Sequence, residues 1–305
     1  MHMPKKSLIL VLSVILVCAL FAGCNPRGES SPPGGSSSLV SSSRPSSPES
    51  SSGSEGMQIA APDFLPDVEQ ARQINSDTVG WLWVSGLPID DVVVWSSKDN
   101  NYYWRRTFEK AEGTKEAFDG VFYADYRSAF GDGSREQLGV NTCIYGHAMT
   151  DNPENPRYSV KFGPLHDLRK PEYAQYSPYI FFTTEKENLV FEIIAVFTVN
   201  ADDASIPYNY NSKDQTAFVK MVEEKILPRS KYDYGVTLKP TDKFLTLSTC
   251  IYTMDNGYVT NYPDTYMRYG VMARLLEEGT PLKSEASFNL RQNVVVDKDG
   301  KITSK

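Results

Sequence analysis

Residues 243–250 carry the sequence Lys-Phe-Leu-Thr-Leu-Ser-Thr-Cys, an apolar run rich in β-forming side chains. Such a run predicts a buried strand. The strand ends on Cys250, so its thiol is expected at the C-terminal lip of a rigid element, where a nucleophile can face a groove. Cys250 is therefore the candidate nucleophile.

Two further predicted strands carry polar side chains at their ends. Residues 141–149 form a strand that ends in His147, and residues 266–275 form a strand that opens on Arg268. A thiol, an imidazole and a guanidinium supply a nucleophile, a proton carrier and an oxyanion partner. Arg274 competes with Arg268 for the last role. The two lie about 20 Å apart on one strand, at ~3.3 Å per residue, so only one of them can reach the thiol.

These motifs resemble those of the sortases, and of class B sortases in particular. The resemblance is carried by the Thr-Leu-Ser-Thr-Cys strand, the Ile-Tyr-Gly-His-Ala-Met segment and the arginine on the strand after the cysteine. Other segments follow the class B order and extend the resemblance over residues 66–277; they are residues 77–82, 87–90, 99–104, 120–127 and 162–165. The family pattern selects Arg268 over Arg274.

The resemblance implies a mainly β fold: a closed barrel of about eight strands, with an N-terminal helix and a helix inserted before the cysteine strand. It also implies a cysteine transpeptidase, a thiol peptidase that anchors surface proteins of Gram-positive cells. Such an enzyme cleaves a secreted protein after the Thr of a C-terminal Asn-Pro-x-Thr-type motif and forms a thioacyl enzyme. An amine of a peptidoglycan precursor or of a pilin then accepts the acyl group.

The resemblance also implies roles for individual residues. The catalytic residues are His147, Cys250 and Arg268, and the residues that match the substrate groove are Asn100, Tyr145 and Ser248. The loop of residues 204–210 and the inserted helix are expected to form the other wall of the groove. Ile251 follows the cysteine where some class B members carry an acidic residue, which leaves the motif preference open.

A free cysteine has a thiol pKa of about 8.5 and needs a neighbour to react as a thiolate near neutral pH. The chain has three histidines. His2 lies in the leader, and His166 lies in a helix-like stretch where a surface or helix-end position is expected. His147 is the remaining candidate, against the alternative of an ordinary core histidine.

The N-terminal region is predicted to tether the chain outside the cytoplasm. Residues 1–24 are a signal or anchor segment, in which two lysines precede an apolar run. The small residues before Cys24 leave lipidation of that cysteine as an alternative to an uncleaved anchor. Residues 25–56, almost all Ser, Pro and Gly, are predicted to be a disordered linker. Residues 57–279 are the catalytic domain, and residues 280–305 are a C-terminal extension without an assigned role.

Composition narrows the remaining classes. The formal net charge of −7 gives no support for nucleic-acid binding, and neither a cofactor nor a metal is expected. Cys143 is predicted to be a small buried hydrophobe, since a disulfide with Cys250 would disable the nucleophile.

A papain-like hydrolase is disfavoured because its cysteine precedes its histidine. An L,D-transpeptidase would carry its arginine almost adjacent to the cysteine. A non-catalytic, membrane-tethered lipoprotein that binds peptides stays as an alternative.

Hydrophobic patterns predict the remaining elements. Helices are expected over residues 64–74 and 214–227, with a short one within residues 98–111. The longest strand is expected over residues 190–199, and shorter strands are expected at residues 81–84, 92–95 and 120–123.

Overall fold

The computed structural model of the chain describes residues 60–254, 266–291, 294–297 and 300–303. The predicted leader, Cys24 and the predicted linker lie outside these residues. Within the described part of the chain, every helix is too short or too polar to span a bilayer.

The described part of the chain contains twelve strands and a few short helices. The strands are β1 (Thr78–Val84), β2 (Ile89–Trp95), β3 (Phe122–Ala124), β4 (Asn141–Tyr145), β5 (Tyr179–Thr183), β6 (Asn188–Asn200), β7 (Tyr232–Asp233), β8 (Phe244–Cys250), β9 (Met267–Leu275), β10 (Asn289–Leu290), β11 (Val295–Val296) and β12 (Ile302–Thr303). The α-helices are α1 (Leu65–Ile74), α2 (Lys115–Asp119), α3 (Pro171–Tyr176) and α4 (Gln215–Met221). A 3₁₀ segment covers Gly163–Arg169, and α4 continues as a π-helical turn (Val222–Ile226) and a 3₁₀ turn (Leu227–Arg229).

Eight of the strands close into a barrel in the order β1-β2-β3-β4-β8-β9-β6-β5. The β2–β3 and β4–β8 pairs are parallel and the other barrel pairs are antiparallel. Closure gives each of these eight strands a hydrogen-bonded neighbour on both sides. The predicted barrel of about eight strands is confirmed.

The barrel interior is the main hydrophobic core. Its fully buried side chains include those of Leu82, Ile144, Phe182, Leu245 and Val271. In β5 every residue is buried, and in β8 every residue except Cys250 is buried. Strands covered on both faces have no solvated side and show continuous apolar runs instead of alternation. The sequence of β5 follows this rule, whereas β8 also buries the hydroxyl side chains of Thr246, Ser248 and Thr249.

The inserted helix covers the outside of the barrel. In α4 and the turn that follows it, Phe218, Val219 and Val222 belong to a second buried cluster with Phe197 and Phe244 of the barrel wall. Asp214 caps the start of α4, because its side chain accepts a hydrogen bond from the Ala217 amide at 2.9 Å. The N-terminal helix α1 packs on a third cluster over β2.

Most predicted elements are confirmed, with shifted ends. Helix α1, the strand β6 and the inserted helix lie where the sequence places them. No helix forms within residues 98–111, which the structure resolves as turns, so that prediction is wrong. The short helix in this region is α2 instead, where the Thr114 side chain accepts a hydrogen bond from the Ala117 amide at 3.0 Å.

The C-terminal extension packs against the barrel. Leu282 is buried against Tyr179 and Phe181, and β10 pairs with β7 beside the barrel. The Phe288 ring lies 4.5 Å from that of Tyr232. These contacts bury apolar side chains of the C-terminal extension, for which the sequence analysis assigned no role.

Candidate active site

Three neighbouring strands bring the predicted catalytic residues into one row. In the β8–β9 ladder Cys250 lies directly opposite Arg268. In the parallel β4–β8 ladder Tyr145 is paired with Ser248. Cys250 lies two residues after Ser248, and His147 lies two residues after Tyr145, just beyond the end of β4. The strand register places Cys250 opposite Arg268, whereas His147 stands on the segment that follows β4.

Hydrogen bonds hold the ends of β4 and β8 together around this row. The Thr249 hydroxyl donates to the Gly146 carbonyl at 2.7 Å. The Phe162 amide donates to the His147 carbonyl at 2.8 Å. The Tyr252 hydroxyl donates to the Ala148 carbonyl at 2.7 Å. These bonds fix the backbone on which the imidazole and the thiol are mounted.

The three side chains line one cleft of about 160 Å³. Its lining comes from β3, β4, β8, β9 and the loop before α2, and consists of Asn100, Trp104, Tyr123, Tyr145, Gly146, His147, Ser248, Thr249, Cys250 and Arg268. The structure therefore brings all six predicted catalytic and substrate-groove residues together.

Cys250 is a free, partly exposed thiol, and Cys143 is a free, fully buried one. Burial raises the pKa of the Cys250 thiol above its ordinary value, while the positive charges of Arg268 and Arg105 act in the opposite direction. At neutral pH the resting site therefore holds mostly thiol, and thiolate is the minor form. Burial also raises the pKa of Cys143, which keeps that thiol unreactive.

The His147 ring is orientated by the backbone. Its Nε2 lies 2.7 Å from the Trp104 carbonyl oxygen. A carbonyl only accepts, so Nε2–H donates and Nδ1 is the basic nitrogen of the neutral ring. Burial lowers the pKa of His147, with the Arg105 charge acting in the same direction, whereas the bond to Trp104 and the charge of Asp119 oppose it. Thiol and imidazole are thus both mainly neutral at rest.

The two candidate arginines are at opposite ends of β9. Arg268 is paired with Cys250, whereas Arg274 is paired with Phe244 at the far end of the β8–β9 ladder. The Arg274 guanidinium forms an ion pair with Glu192 at 3.0 Å. Arg268 is therefore the guanidinium beside the thiol, and Arg274 stabilises the opposite end of the barrel wall.

The predicted groove residues are all engaged in hydrogen bonds. Ser248 is almost fully buried at the floor of the cleft, with its hydroxyl 3.1 Å from that of Tyr208. Tyr145 accepts a hydrogen bond from Asn209 at 2.8 Å. Through Tyr208 and Asn209 the 204–210 loop supports the cleft from behind.

Among the described residues, neither the inserted helix nor the 204–210 loop lines the cleft, so the expectation that they form its other wall is wrong. The residues that line the cleft, within the described part of the chain, do not include any of α4 or its two following turns. The apolar face of the helix is instead used to cover β6, β8 and β9. The sequence shows that this face is apolar but not which barrel surface it covers.

Sequence reasoning missed several residues around the cleft. Arg105 stacks on Trp104, 4.9 Å from the ring centroid, and on Phe118, 3.9 Å from the centroid. Its charge acts on both Cys250 and His147. Nothing in its sequence context distinguishes it from a surface arginine. Trp104 lies in one of the segments that carry the family resemblance, so that motif was the available signal.

His166 is buried, so the surface position expected for it is wrong. Only 4% of its surface is exposed. Its Nε2 donates to the backbone carbonyl of Cys250 at 3.0 Å, and its ring stacks on that of Tyr269 at 4.7 Å. Burial lowers the pKa of His166 to about 4. The chain therefore places a second, neutral histidine beneath the nucleophile strand.

Comparisons with known proteins agree with this architecture. No family model matches the chain. It is 27% identical to sortase B of Listeria monocytogenes over 184 residues, which cover 60% of this chain and 67% of that protein. It is 26% identical to sortase B of Staphylococcus aureus over 213 residues, or 70% of this chain and 75% of the relative. The crystal structure of Clostridium perfringens sortase B matches with a TM-score of 0.53 and 24% identity, covering 68% of this chain and 99% of that structure.

The closed eight-stranded barrel is the fold of the sortases. Within that class, the curated relatives and the solved structures are sortase B proteins. Together with the motifs they support a class B sortase, as the sequence predicted, and thereby the sortase transpeptidase family.

Proposed function

We propose that this chain is a cysteine transpeptidase that acts on a C-terminal sorting motif of the Asn-Pro-x-Thr type. The Cys250 sulfur attacks the Thr carbonyl carbon, an S–C bond forms, and the C–N bond after Thr breaks. The leaving amine takes a proton from the His147 imidazolium. An acceptor amine then attacks the thioacyl group, gives up a proton, and restores the thiol.

The observation that supports this proposal is the one cleft that His147, Cys250 and Arg268 line together, with Cys250 paired to Arg268 across β8 and β9. The guanidinium lies beside the carbon under attack, where it stabilises the oxyanion of the tetrahedral intermediate. His147 follows β4, which neighbours β8 on the side opposite β9. Because the thiol pKa is raised and the imidazole pKa is lowered, the reactive thiolate–imidazolium pair is a minor form of the resting enzyme.

The proposed substrate and acceptor are those that the resemblance to class B sortases implies. Asn100, Tyr145 and Ser248 contact the sorting motif, and the acceptor is an amine of a peptidoglycan precursor or of a pilin. The reaction takes place outside the cytoplasm, with residues 1–24 or a lipid on Cys24 holding the chain at the membrane.

Cleavage of a fluorogenic Asn-Pro-Gln-Thr peptide tests the proposal, with a scrambled peptide as the substrate control. Cys250→Ala should abolish cleavage and leave the circular dichroism spectrum unchanged. Cys143→Ala is the matched control, since it removes the buried thiol of the neighbouring strand, and it should retain activity. Full activity of Cys250→Ala would contradict the mechanism, and peptide binding without cleavage by the unmodified protein would favour a non-catalytic peptide-binding protein.

A further inference from the structure

A buried carboxylate lies beneath the cleft and is not used in the proposed reaction. Asp125 follows β3 and is 1% exposed. Arg127 donates to it from Nε at 2.7 Å and from Nη2 at 2.8 Å, and the Arg127 backbone amide donates at 2.9 Å. Burial alone would raise the pKa of Asp125, but the hydrogen bonds from Arg127 and its other donors outweigh burial and hold the pKa below its ordinary value. The group is therefore ionised at neutral pH.

The second oxygen of this carboxylate connects two side chains that line the cleft. Oδ2 of Asp125 accepts from Asn100 Nδ2 at 3.0 Å and from the Tyr145 hydroxyl at 2.8 Å. An ionised carboxylate accepts and cannot donate, so both neighbours must direct a hydrogen toward it. One atom therefore controls the direction of two hydrogen bonds in the cleft wall.

The Asn100 amide has one possible orientation. Its Oδ1 accepts from the Tyr126 backbone amide at 2.8 Å, while its Nδ2 donates to Asp125. A flipped amide would set its oxygen against the carboxylate and its NH₂ group against an N–H. Since Nδ2 carries two hydrogens, one N–H remains for another partner.

The Tyr145 hydroxyl is restricted in the opposite sense. It has a single hydrogen, which is donated to Asp125, and it accepts from Asn209 Nδ2 at 2.8 Å. The hydroxyl also lies within hydrogen-bonding reach of the Cys143 thiol, and it has no hydrogen left to donate.

We propose that Asp125 is a positioning residue that fixes the hydrogen-bonding polarity of the substrate cleft. Through it, Asn100 presents an N–H donor and Tyr145 presents an acceptor. That pair complements an amide group, which offers both a carbonyl and an N–H, and does not complement a carboxylate. The inference rests on the proposed peptide-binding role of the cleft and adds the reason why its polar side chains are held in one state.

Peptide affinity measures this role apart from the chemistry. In a Cys250→Ala protein, which cannot turn over, a fluorescein-labelled Asn-Pro-Gln-Thr peptide gives the dissociation constant by anisotropy. Asp125→Asn puts an amide where the carboxylate was and relaxes both hydrogen bonds. It should weaken binding about tenfold, the effect of one or two lost hydrogen bonds. In the protein that keeps Cys250, Asp125→Asn should raise KM for the peptide. It should leave kcat and the rate of thiol alkylation within about twofold of their original values.

A double-mutant cycle separates positioning from a general structural effect. With Asn100→Ala and Tyr145→Phe already in place, Asp125→Asn should change the dissociation constant less than about twofold, because its targets are absent. An equal loss of affinity in both backgrounds, or no loss in the parent, would overturn the inference.

Asp125→Asn removes the charged partner of Arg127, so a second test avoids this substitution. The cycle of Asn100→Ala and Tyr145→Phe then provides the test. Asn100 and Tyr145 bind the same oxygen of Asp125, so their effects on affinity should not be independent. The change in dissociation constant of the double variant should differ at least about twofold from the product of the two single changes. A simple product would contradict the role of Asp125. If the protein that keeps Cys250 binds the peptide without cleaving it, only the proposed function is contradicted. If it does not bind the peptide, both the proposed function and the role of Asp125 are overturned.

Discussion

The buried His166 makes stability depend on pH in a way that can be measured. Its Nε2 donates to the Cys250 carbonyl, and its Nδ1 has no hydrogen-bond partner among the described residues. A second proton would therefore add a charge at a buried atom that has no acceptor. Asp151 and Asp167 act to raise the pKa of this ring and Arg169 to lower it, but burial is the largest effect.

The magnitude follows from the two pKa values of His166. In the unfolded chain it takes up a proton near its ordinary pKa of 6.5, whereas in the folded protein the pKa is lowered to about 4. Above the first value neither state binds the proton, so this group does not affect stability. As pH falls below it, only the unfolded state binds the proton and the free energy of unfolding decreases. At about 1.4 kcal/mol per pH unit, the loss is about 2 kcal/mol at about pH 5.

Urea denaturation at pH 7.5 and pH 5, with the unmodified protein and His166→Gln, measures this effect. Glutamine has an N–H donor that can reach the Cys250 carbonyl, but it does not titrate. The unmodified protein should lose about 2 kcal/mol more on acidification than the variant does. Equal losses would refute the assignment of this pH dependence to His166.

Two further predictions concern the cleft. Arg268→Lys should lower kcat by about 100-fold or more with little change in peptide affinity, because a lysine lacks the fork of donors that faces the oxyanion; an unchanged kcat would transfer the role to Arg274 or to backbone donors. Gly120→Ala should reduce kcat, since the φ of residue 120 is +72° and a Cβ there would lie 2.9 Å from Cδ2 of His147. Gly113→Ala is its matched control, because Gly113 has a similar φ of +77° but open space around it, and equal effects of the two changes would contradict the steric reason.

The positions of strands were predictable where a continuous segment of the sequence carries the β-forming pattern by itself. The β8 and β6 runs are long, apolar and rich in β-forming residues, so the sequence alone locates them. The row of catalytic side chains was predictable for a related reason, since each of them stands at the end of such a run. The absence of a helix within residues 98–111 was not, because several groups of that segment form hydrogen bonds with residues distant in sequence, as Asn100 does with Asp125 and the Phe108 carbonyl with Asn75.

Burial of single polar residues was the part that local patterns could not give. His166 lies in a seven-residue 3₁₀ segment, which lacks the 3.6-residue period that marks a buried face. Its environment is set by Tyr269 and by the carbonyl of Cys250, both far away in the chain. Local patterns also do not predict that α4 packs on the outside of the barrel, because this position depends on which barrel face the other elements leave uncovered.

The most direct test of the central claim is the mass of the protein after a short incubation with an Asn-Pro-Gln-Thr peptide and an acid quench. The account predicts an added acyl group on Cys250, none on Cys143, and its loss when an amine acceptor is supplied before the quench. Cleavage of the peptide with no adduct on Cys250 under any quench time, or with an adduct at another side chain, would contradict it.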